Sequence, residues 1–251
     1  MAAAGAAARM QSHRAVRLLS LDVVMENELD RQFKKIEVEI AQLFGGLDVV
    51  GDYDKYYELD RFTSQNRAIV EMAALAPSDA HTPVLDIGAG SGVLLKYFSS
   101  FGLTPLGLDL QDRSPVLRAM THSLGIDLLD GEVSFSGELN VANPSPIYSG
   151  HGFRVVTAIS TMFDRSLEAV WGPRQWSIFL EGISGKLASN GVLVLKPNRH
   201  RKVHSVFRNP TSYDYRIEAV FKGNAQQKRN RIFAFTKAGA IGASQVLSSI
   251  D

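Results

Sequence analysis

From residue 83 to residue 236 the chain alternates short apolar runs with stretches of helical periodicity. Runs of four to eight residues rich in Val, Leu and Ile predict strands, whereas apolar residues that recur every three or four positions predict helices. Helices are predicted at 93–101, 114–124, 173–188 and about 200–207. Strands are predicted at 84–88, 105–110, about 131–136, 153–160, 191–197, 214–221 and 229–236. This order predicts an α/β fold, a doubly wound and mostly parallel sheet of seven strands.

The last two predicted strands are joined by a short polar loop, from Lys222 to Lys228. Because so short a link leaves no room for a crossover helix, strands that pair across it must run antiparallel. The sheet is therefore predicted to end in a C-terminal antiparallel hairpin. Residues 239–251 are expected to form a weakly ordered tail.

Two amphipathic helices are predicted before the first strand. Apolar residues keep helical spacing between Asn27 and Phe44, where Gly45 and Gly46 follow as a stop signal, and again from about 54 to 75. We expect a helical cap at 21–76, followed by a main domain at 77–238. Residues 1–20 contain arginine but no acid, so they are expected to form a flexible leader, with a targeting peptide as the alternative.

Composition narrows the function classes. The 251 residues, 45% of them hydrophobic, suffice for a substantial core. No apolar run approaches the roughly 20 residues that a membrane-spanning helix needs. A net charge of +1 gives no general attraction to polyanions, and the absence of cysteine excludes disulfides and thiolate metal sites. We expect a cytoplasmic protein with no membrane partner.

The most distinctive motif is PVLDIGAGSG, from Pro83 to Gly92. It predicts a strand, a turn with three alternate glycines, and a helix. Glycines leave the main chain open to a ligand, and the N–H groups at the start of a helix attract electron-rich groups. The dinucleotide fingerprint needs a further glycine where this chain has Val93 or Leu95. The turn therefore predicts a nucleotide-like cofactor other than a dinucleotide.

Two acids accompany this turn. Asp109 ends the second predicted strand, a place where acids hold ribose hydroxyls, although it is equally readable as a cap of the next helix. Asp86 lies two residues before Gly88 and is predicted either to contact the cofactor or to bond turn amides. Both acids are predicted at the carboxyl ends of neighbouring strands.

The motif D-x-G-x-G-x-G, from Asp86 to Gly92, resembles the first motif of the class I S-adenosylmethionine-dependent methyltransferases. The terminal hairpin is also typical of that family, and the resemblance covers about residues 54–238. It implies S-adenosyl-L-methionine as the cofactor, with its ribose and methionine part at the turn. The cofactor-binding residues that it implies are Asp86, Gly88, Ala89, Gly90, Gly92, Asp109, Leu110 and Ser160.

The acceptor is expected at the end of the predicted strand 153–160. The carboxyl ends of strands form the ligand crevice of an open α/β sheet. Methyl transfer requires alignment and, for a protonated acceptor, a base. The candidate catalytic residues are Asp164 and His200, although Asp164 also reads as an ion pair with Arg165 and His200 as part of a solvated helix face.

The acceptor class is predicted from a departure from the family. Methyltransferases that act on the amino groups of nucleobases or glutamine often show an acid or Asn followed by Pro-Pro-Tyr where this chain has Ser160 to Phe163. This favours a small-molecule acceptor, with O- or N-methylation ahead of C-methylation. No metal is predicted, since Arg201 stands where the H-E-x-x-H motif needs its glutamate.

Two other functions stay open. The basic segments 196–208 and 222–231 are compatible with an RNA methyltransferase, which strong salt dependence of RNA binding would favour. Alternatively, the fold serves as a non-catalytic partner subunit, because a fold does not fix an activity.

Overall fold

The computed structural model describes residues 30–47, 60–74, 83–110, 114–134, 136–144, 152–159, 171–196, 225–227 and 232–249. The helices are α1 (residues 30–44), α2 (Asp60–Ala74), α3 (Val93–Ser100), α4 (Pro115–Ser123), α5 (Pro173–Lys186) and α6 (Lys237–Ser248). The strands are β1 (Pro83–Ile87), β2 (Thr104–Asp109), β3 (Leu128–Val133), β4 (Leu139–Val141), β5 (Phe153–Ile159), β6 (Leu187–Lys196), β7 (Ala225–Gln227) and β8 (Ile232–Thr236). Among these helices, none combines the length and hydropathy that a bilayer crossing requires.

The described strands form one sheet in the order β4-β3-β2-β1-β5-β6-β8-β7. The five central strands from β3 to β6 are parallel, whereas β8 runs antiparallel to β6 and β7 antiparallel to β8. The predicted doubly wound, mostly parallel sheet with a C-terminal antiparallel pair is confirmed. The short strand β4 pairs antiparallel with β3 and extends the opposite edge. Strand order reverses between β1 and β5, which makes this the switch point of the sheet.

The antiparallel pair differs in detail from the prediction. Among the described residues, the strand that pairs with β8 at this end is β7 (Ala225–Gln227). It lies inside the segment 222–228, which was predicted to be a loop. The predicted strand 214–221 lies outside the described residues. An edge strand needs only backbone hydrogen bonds to one neighbour, so a polar sequence without apolar alternation gives no local signal for it.

The C-terminal segment is a helix, so the prediction of a weakly ordered tail was wrong. The hydroxyl of Thr236 caps α6 by accepting a hydrogen bond from the N–H of Gly239 at 3.1 Å. Ala240, Ala243 and Leu247 form a buried stripe at helical spacing. Because the stripe consists mostly of small residues, its hydrophobic periodicity is weak in the sequence. The helix is stabilised by packing against α5.

Each face of the sheet carries its own apolar core. Leu85 belongs to the core under α5 and α6, whereas its neighbour Val84 belongs to the core under α1 to α4. The two predicted N-terminal helices are confirmed, and α1 packs on α3, with the ring of Phe33 5.1 Å from that of Tyr97 and 5.2 Å from that of Phe101. These helices share the core of the main sheet.

Candidate functional site

The three alternate glycines after β1 all have left-handed backbone conformations. Their φ angles are 73° at Gly88, 59° at Gly90 and 77° at Gly92. A residue with a Cβ atom loses about 1–2 kcal/mol in this region. The N–H of Gly88 donates to the carbonyl of Leu108 at 2.8 Å, which ties the turn to β2. The turn therefore requires its glycines for backbone reasons before any ligand is considered.

Asp109 holds the turn from the end of β2. Its side chain is buried, and Oδ2 accepts a hydrogen bond from the N–H of Gly90 at 2.8 Å. Oδ1 accepts from the N–H of Leu110, also at 2.8 Å. The helix-capping alternative is not what the structure shows, because Ser114 caps α4 by accepting from the N–H of Val116. Both carboxylate oxygens of Asp109 therefore fix the main chain, one at the turn and one at the end of β2.

Asp86 lies on β1 and faces the neighbouring strand β5. The hydroxyl of Thr157 donates to Asp86 Oδ1 at 2.6 Å, so among the described residues its partner is this hydroxyl and not a turn amide. Burial raises the pKa of Asp86 to about 7, the hydrogen bond from Thr157 acts to lower it, and the nearby charge of Asp109 acts to raise it. A cation bound nearby would favour the ionised carboxylate.

Gly107 is a structural requirement of this site that the sequence analysis did not single out. A Cβ atom added at this position would clash with Leu128 and would lie 2.7 Å from Leu95 and 3.2 Å from Ala89. The glycine therefore lets α3 and the turn lie close to β2. A lone glycine inside an apolar strand is the sequence signal that points to such a close approach.

Lys196 was noted only as part of a basic segment, and the structure gives it a specific partner. It lies at the carboxyl end of β6, and its ammonium donates to the side-chain carbonyl of Gln65 on α2. Gln65 is 7% exposed. Two signals were present in the sequence: Gln65 is a polar residue at a position of α2 that faces inward, and Lys196 ends an apolar strand. Only the structure shows that the two residues meet.

The cofactor-binding candidates that the structure describes lie together at the carboxyl ends of the central strands β1 and β2. Asp109 directly joins Gly90 and Leu110, and Asp86 is close enough for its titration to respond to Asp109. The remaining candidates, Ser160, Asp164 and His200, lie outside the described residues. Within the part of the chain that the structure describes, no group of three or more metal-ligating side chains is assembled.

No family model and no curated protein matches this chain. Among solved structures, it is similar to CalS10, an amino pentose methyltransferase from Micromonospora echinaspora in complex with S-adenosylmethionine, with 22% identity and a TM-score of 0.41 over 60% of this chain and 58% of that one. It is also similar to the sugar N-methyltransferase KedS8 from Streptoalloteichus, with 18% identity and a TM-score of 0.39 over 61% of this chain and 57% of that one.

A third similar structure is the glycopeptide N-methyltransferase MtfA in complex with S-adenosyl-L-homocysteine. Here the identity is 21% and the TM-score 0.34, over 52% of this chain and 47% of that one. The chain thus spans about half the length of the solved structures that it matches. The chain's own strand order and glycine turn agree with the fold that the D-x-G-x-G-x-G motif led us to expect, a doubly wound α/β sheet that ends in an antiparallel pair.

Proposed function

We propose that this chain is an S-adenosylmethionine-dependent methyltransferase that acts on a small-molecule acceptor. The observation that carries the proposal is the bond between Asp109 Oδ2 and the N–H of Gly90, within a left-handed glycine turn at the carboxyl edge of β1. This bond fixes the glycine turn beside a buried carboxylate. A nucleoside ribose and its attached chain fit that combination of groups.

The residues present match the chemistry of the cofactor. S-Adenosylmethionine, when bound, supplies a methyl group on a positively charged sulfur, from which it is readily displaced. Asp109 would accept hydrogen bonds from the ribose hydroxyls, and the turn from Gly88 to Gly92 would lie against the chain that leads from the ribose. Asp86 would supply negative charge near a cationic ligand, because binding of a cation favours its ionised form.

The acceptor side of the proposal rests on topology. β5 lies next to β1 at the switch point, so the carboxyl end of β5 lies beside the glycine turn. We propose that the acceptor binds there, with Ser160 near the cofactor and with Asp164 and His200 as the candidate bases. Alignment of the acceptor with the methyl group would be the main contribution of the protein to the rate.

The decisive experiment combines binding and turnover. The protein is titrated with S-adenosylmethionine in a calorimeter, then incubated with the methyl-labelled cofactor and a pooled metabolite extract, and products are identified by mass spectrometry. We expect micromolar binding and label in a small molecule. Label in added RNA at physiological salt would instead identify an RNA methyltransferase. Binding without transfer to either acceptor would favour a non-catalytic subunit, and no binding would refute the proposal.

A further inference from the structure

Thr157 is a fully buried polar residue of β5, the strand beside β1 and its glycine turn. It is in register with Asp86 of β1. The two residues alternate with Val155 and Val84, which belong to the core under α1 to α4, so both side chains lie on that face of the sheet. The turn from Gly88 to Gly92 leads from β1 to α3 on the same face. Thr157 and Asp86 therefore pair next to the turn.

The Thr157 hydroxyl has two acceptors within reach. Its oxygen lies 2.6 Å from Asp86 Oδ1 and 3.4 Å from the carbonyl oxygen of Leu85. A hydroxyl carries one donor hydrogen and is also an acceptor. It donates to the carboxylate when Asp86 is ionised, whereas beside a protonated Asp86 it can accept from the carboxylic acid and turn its own hydrogen toward Leu85. The pair therefore stays hydrogen bonded in both protonation states.

Asp86 has a second carboxylate oxygen, which Thr157 does not occupy. The residue is 4% exposed, and its Oδ2 atom accepts no hydrogen bond from another described residue. Burial of a polar atom without a partner costs free energy, so such an atom beside a glycine turn points to a ligand group that meets it. A cationic group fits, because it favours the ionised carboxylate.

The surroundings of Asp86 make its ionisation depend on Thr157. Burial raises the pKa of Asp86 to about 7, and the negative charge of Asp109 on β2 acts in the same direction. The hydrogen bond from Thr157 opposes both effects, because it stabilises the ionised form. Among the described residues, the charge that acts on Asp86 is that of Asp109. Thr157 is thus the described group that favours the carboxylate before a ligand binds.

We propose that Thr157 is a positioning residue, which holds Asp86 as an oriented carboxylate whose Oδ2 atom faces a cationic group of the cofactor. The inference rests on the proposed methyltransferase function and adds a specificity determinant to its cofactor site. When the cofactor binds, a protonated Asp86 gives its proton to solvent and Thr157 turns its hydrogen from Leu85 to Oδ1. S-Adenosylmethionine carries an ammonium and a sulfonium group, whereas S-adenosylhomocysteine carries the ammonium alone.

The test follows cofactor affinity by calorimetry between about pH 6 and pH 8, with S-adenosylmethionine and S-adenosylhomocysteine as ligands. Buffers that differ in ionisation enthalpy report the protons released on binding. Thr157→Val removes the hydroxyl at similar volume and Thr157→Ser keeps it, whereas Thr104→Val, half-buried at the start of β2, is the matched control. Asp86→Asn has no titrating group at this position, so it reports the pH dependence of the ligands themselves.

In the wild type we expect proton release on binding of S-adenosylmethionine, and affinity that falls as the pH falls below 7. Removal of the hydroxyl raises the pKa of Asp86, and a rise of about one unit weakens binding about fivefold at pH 7 but only about twofold at pH 8. Thr157→Ser and Thr104→Val should match the wild type. Equal proton release with S-adenosylhomocysteine identifies the ammonium as the group that Asp86 faces, and release with S-adenosylmethionine alone identifies the sulfonium.

The outcomes separate the two proposals. Wild-type affinity and proton release in Thr157→Val, or wild-type proton release in Asp86→Asn, overturns the positioning role and leaves the methyltransferase proposal intact. An affinity loss in Thr157→Val that is the same at every pH marks a structural role and also overturns it. If Thr157→Val does not fold, Thr157→Cys, whose thiol is a weaker donor, replaces it with the same expected direction. Failure of the wild type to bind either ligand overturns both proposals.

Discussion

Two buried regions of this sheet have opposite chemistry. At the glycine turn, Asp86 and Asp109 are 4% and 5% exposed, beside a backbone that adopts left-handed conformations. At the C-terminal side of the sheet, α5 and α6 pack over β6 and β8 with apolar side chains. Two of the buried hydroxyls on these helices, Ser177 and Ser244, are neutral and pair at 2.9 Å. Equal burial thus serves two purposes: the edge stabilises the fold, whereas the turn retains groups that are costly to bury.

This difference predicts how the two regions respond to mutation. Substitutions at the edge should lower the free energy of unfolding and leave cofactor affinity unchanged in the folded protein. Substitutions at the turn should alter cofactor affinity or the pH dependence of the free energy of unfolding, because burial of a carboxyl group makes stability depend on its protonation. The following predictions test that separation from the largest expected effect to the smallest.

The largest effect is expected from the titration of Asp86. Burial raises its pKa from 3.8 to about 7, so the native protein keeps a proton that the unfolded chain loses as the pH rises through 4. The stabilisation of the native state by this proton is complete below pH 4 and is lost as the pH rises through 7. This amounts to roughly 4 kcal/mol between pH 4 and pH 8. Denaturant titrations across this range should show the decline in the wild type and not in Asp86→Asn; equal slopes in both would contradict it.

The next effect concerns α6. Leu247 is fully buried against the edge, so Leu247→Ala should lower the free energy of unfolding by about 3 kcal/mol. Val246, its neighbour, is 51% exposed, and Val246→Ala should change the free energy by less than about 0.5 kcal/mol. Chemical denaturation of the two variants checks this. Equal stabilities would mean that the C-terminal helix does not support the core.

Gly90→Val should abolish measurable cofactor binding, with at least a 100-fold loss of affinity, about 2.7 kcal/mol. The branched side chain would stand where the turn must leave the main chain open. Gly102 has a similar φ of 77° with no atom within 4 Å of an added Cβ, so Gly102→Val reproduces the backbone strain away from the site. Calorimetry with S-adenosylmethionine should separate the two variants, and comparable affinity losses would show that strain alone accounts for the effect.

The smallest effect is expected from Asp109→Ala. The variant removes the acceptor of the Gly90 and Leu110 N–H groups, so the turn loosens and ribose hydroxyls lose a partner. We expect cofactor affinity to fall roughly tenfold, which corresponds to about 1.4 kcal/mol, because the ribose hydroxyls lose a charged acceptor. The exposed Asp127→Ala is the control of equal charge change. Unchanged affinity in Asp109→Ala would remove this acid from the site.

The sequence determined the features that depend on local backbone chemistry. Alternating apolar runs predicted the strands and helices around the turn, because each element has its own side-chain period. Alternate glycines predicted the turn, because only glycine adopts φ values of 59° to 77° without strain. The apolar runs also predicted that Asp86 and Asp109 lie near the carboxyl ends of their strands, and the structure places them there, on β1 and β2.

Only the tertiary structure decided the contacts between distant segments. Thr157 meets Asp86 across 71 residues, and Lys196 meets Gln65 across 131, separations at which no local periodicity specifies a partner. The helix α6 forms because α5 and the sheet bury its small residues, although its own sequence is weakly amphipathic. Backbone preferences depend on each residue and its near neighbours in the chain, so the sequence reveals them directly. The partners of buried polar groups depend on which surfaces the folded sheet brings together.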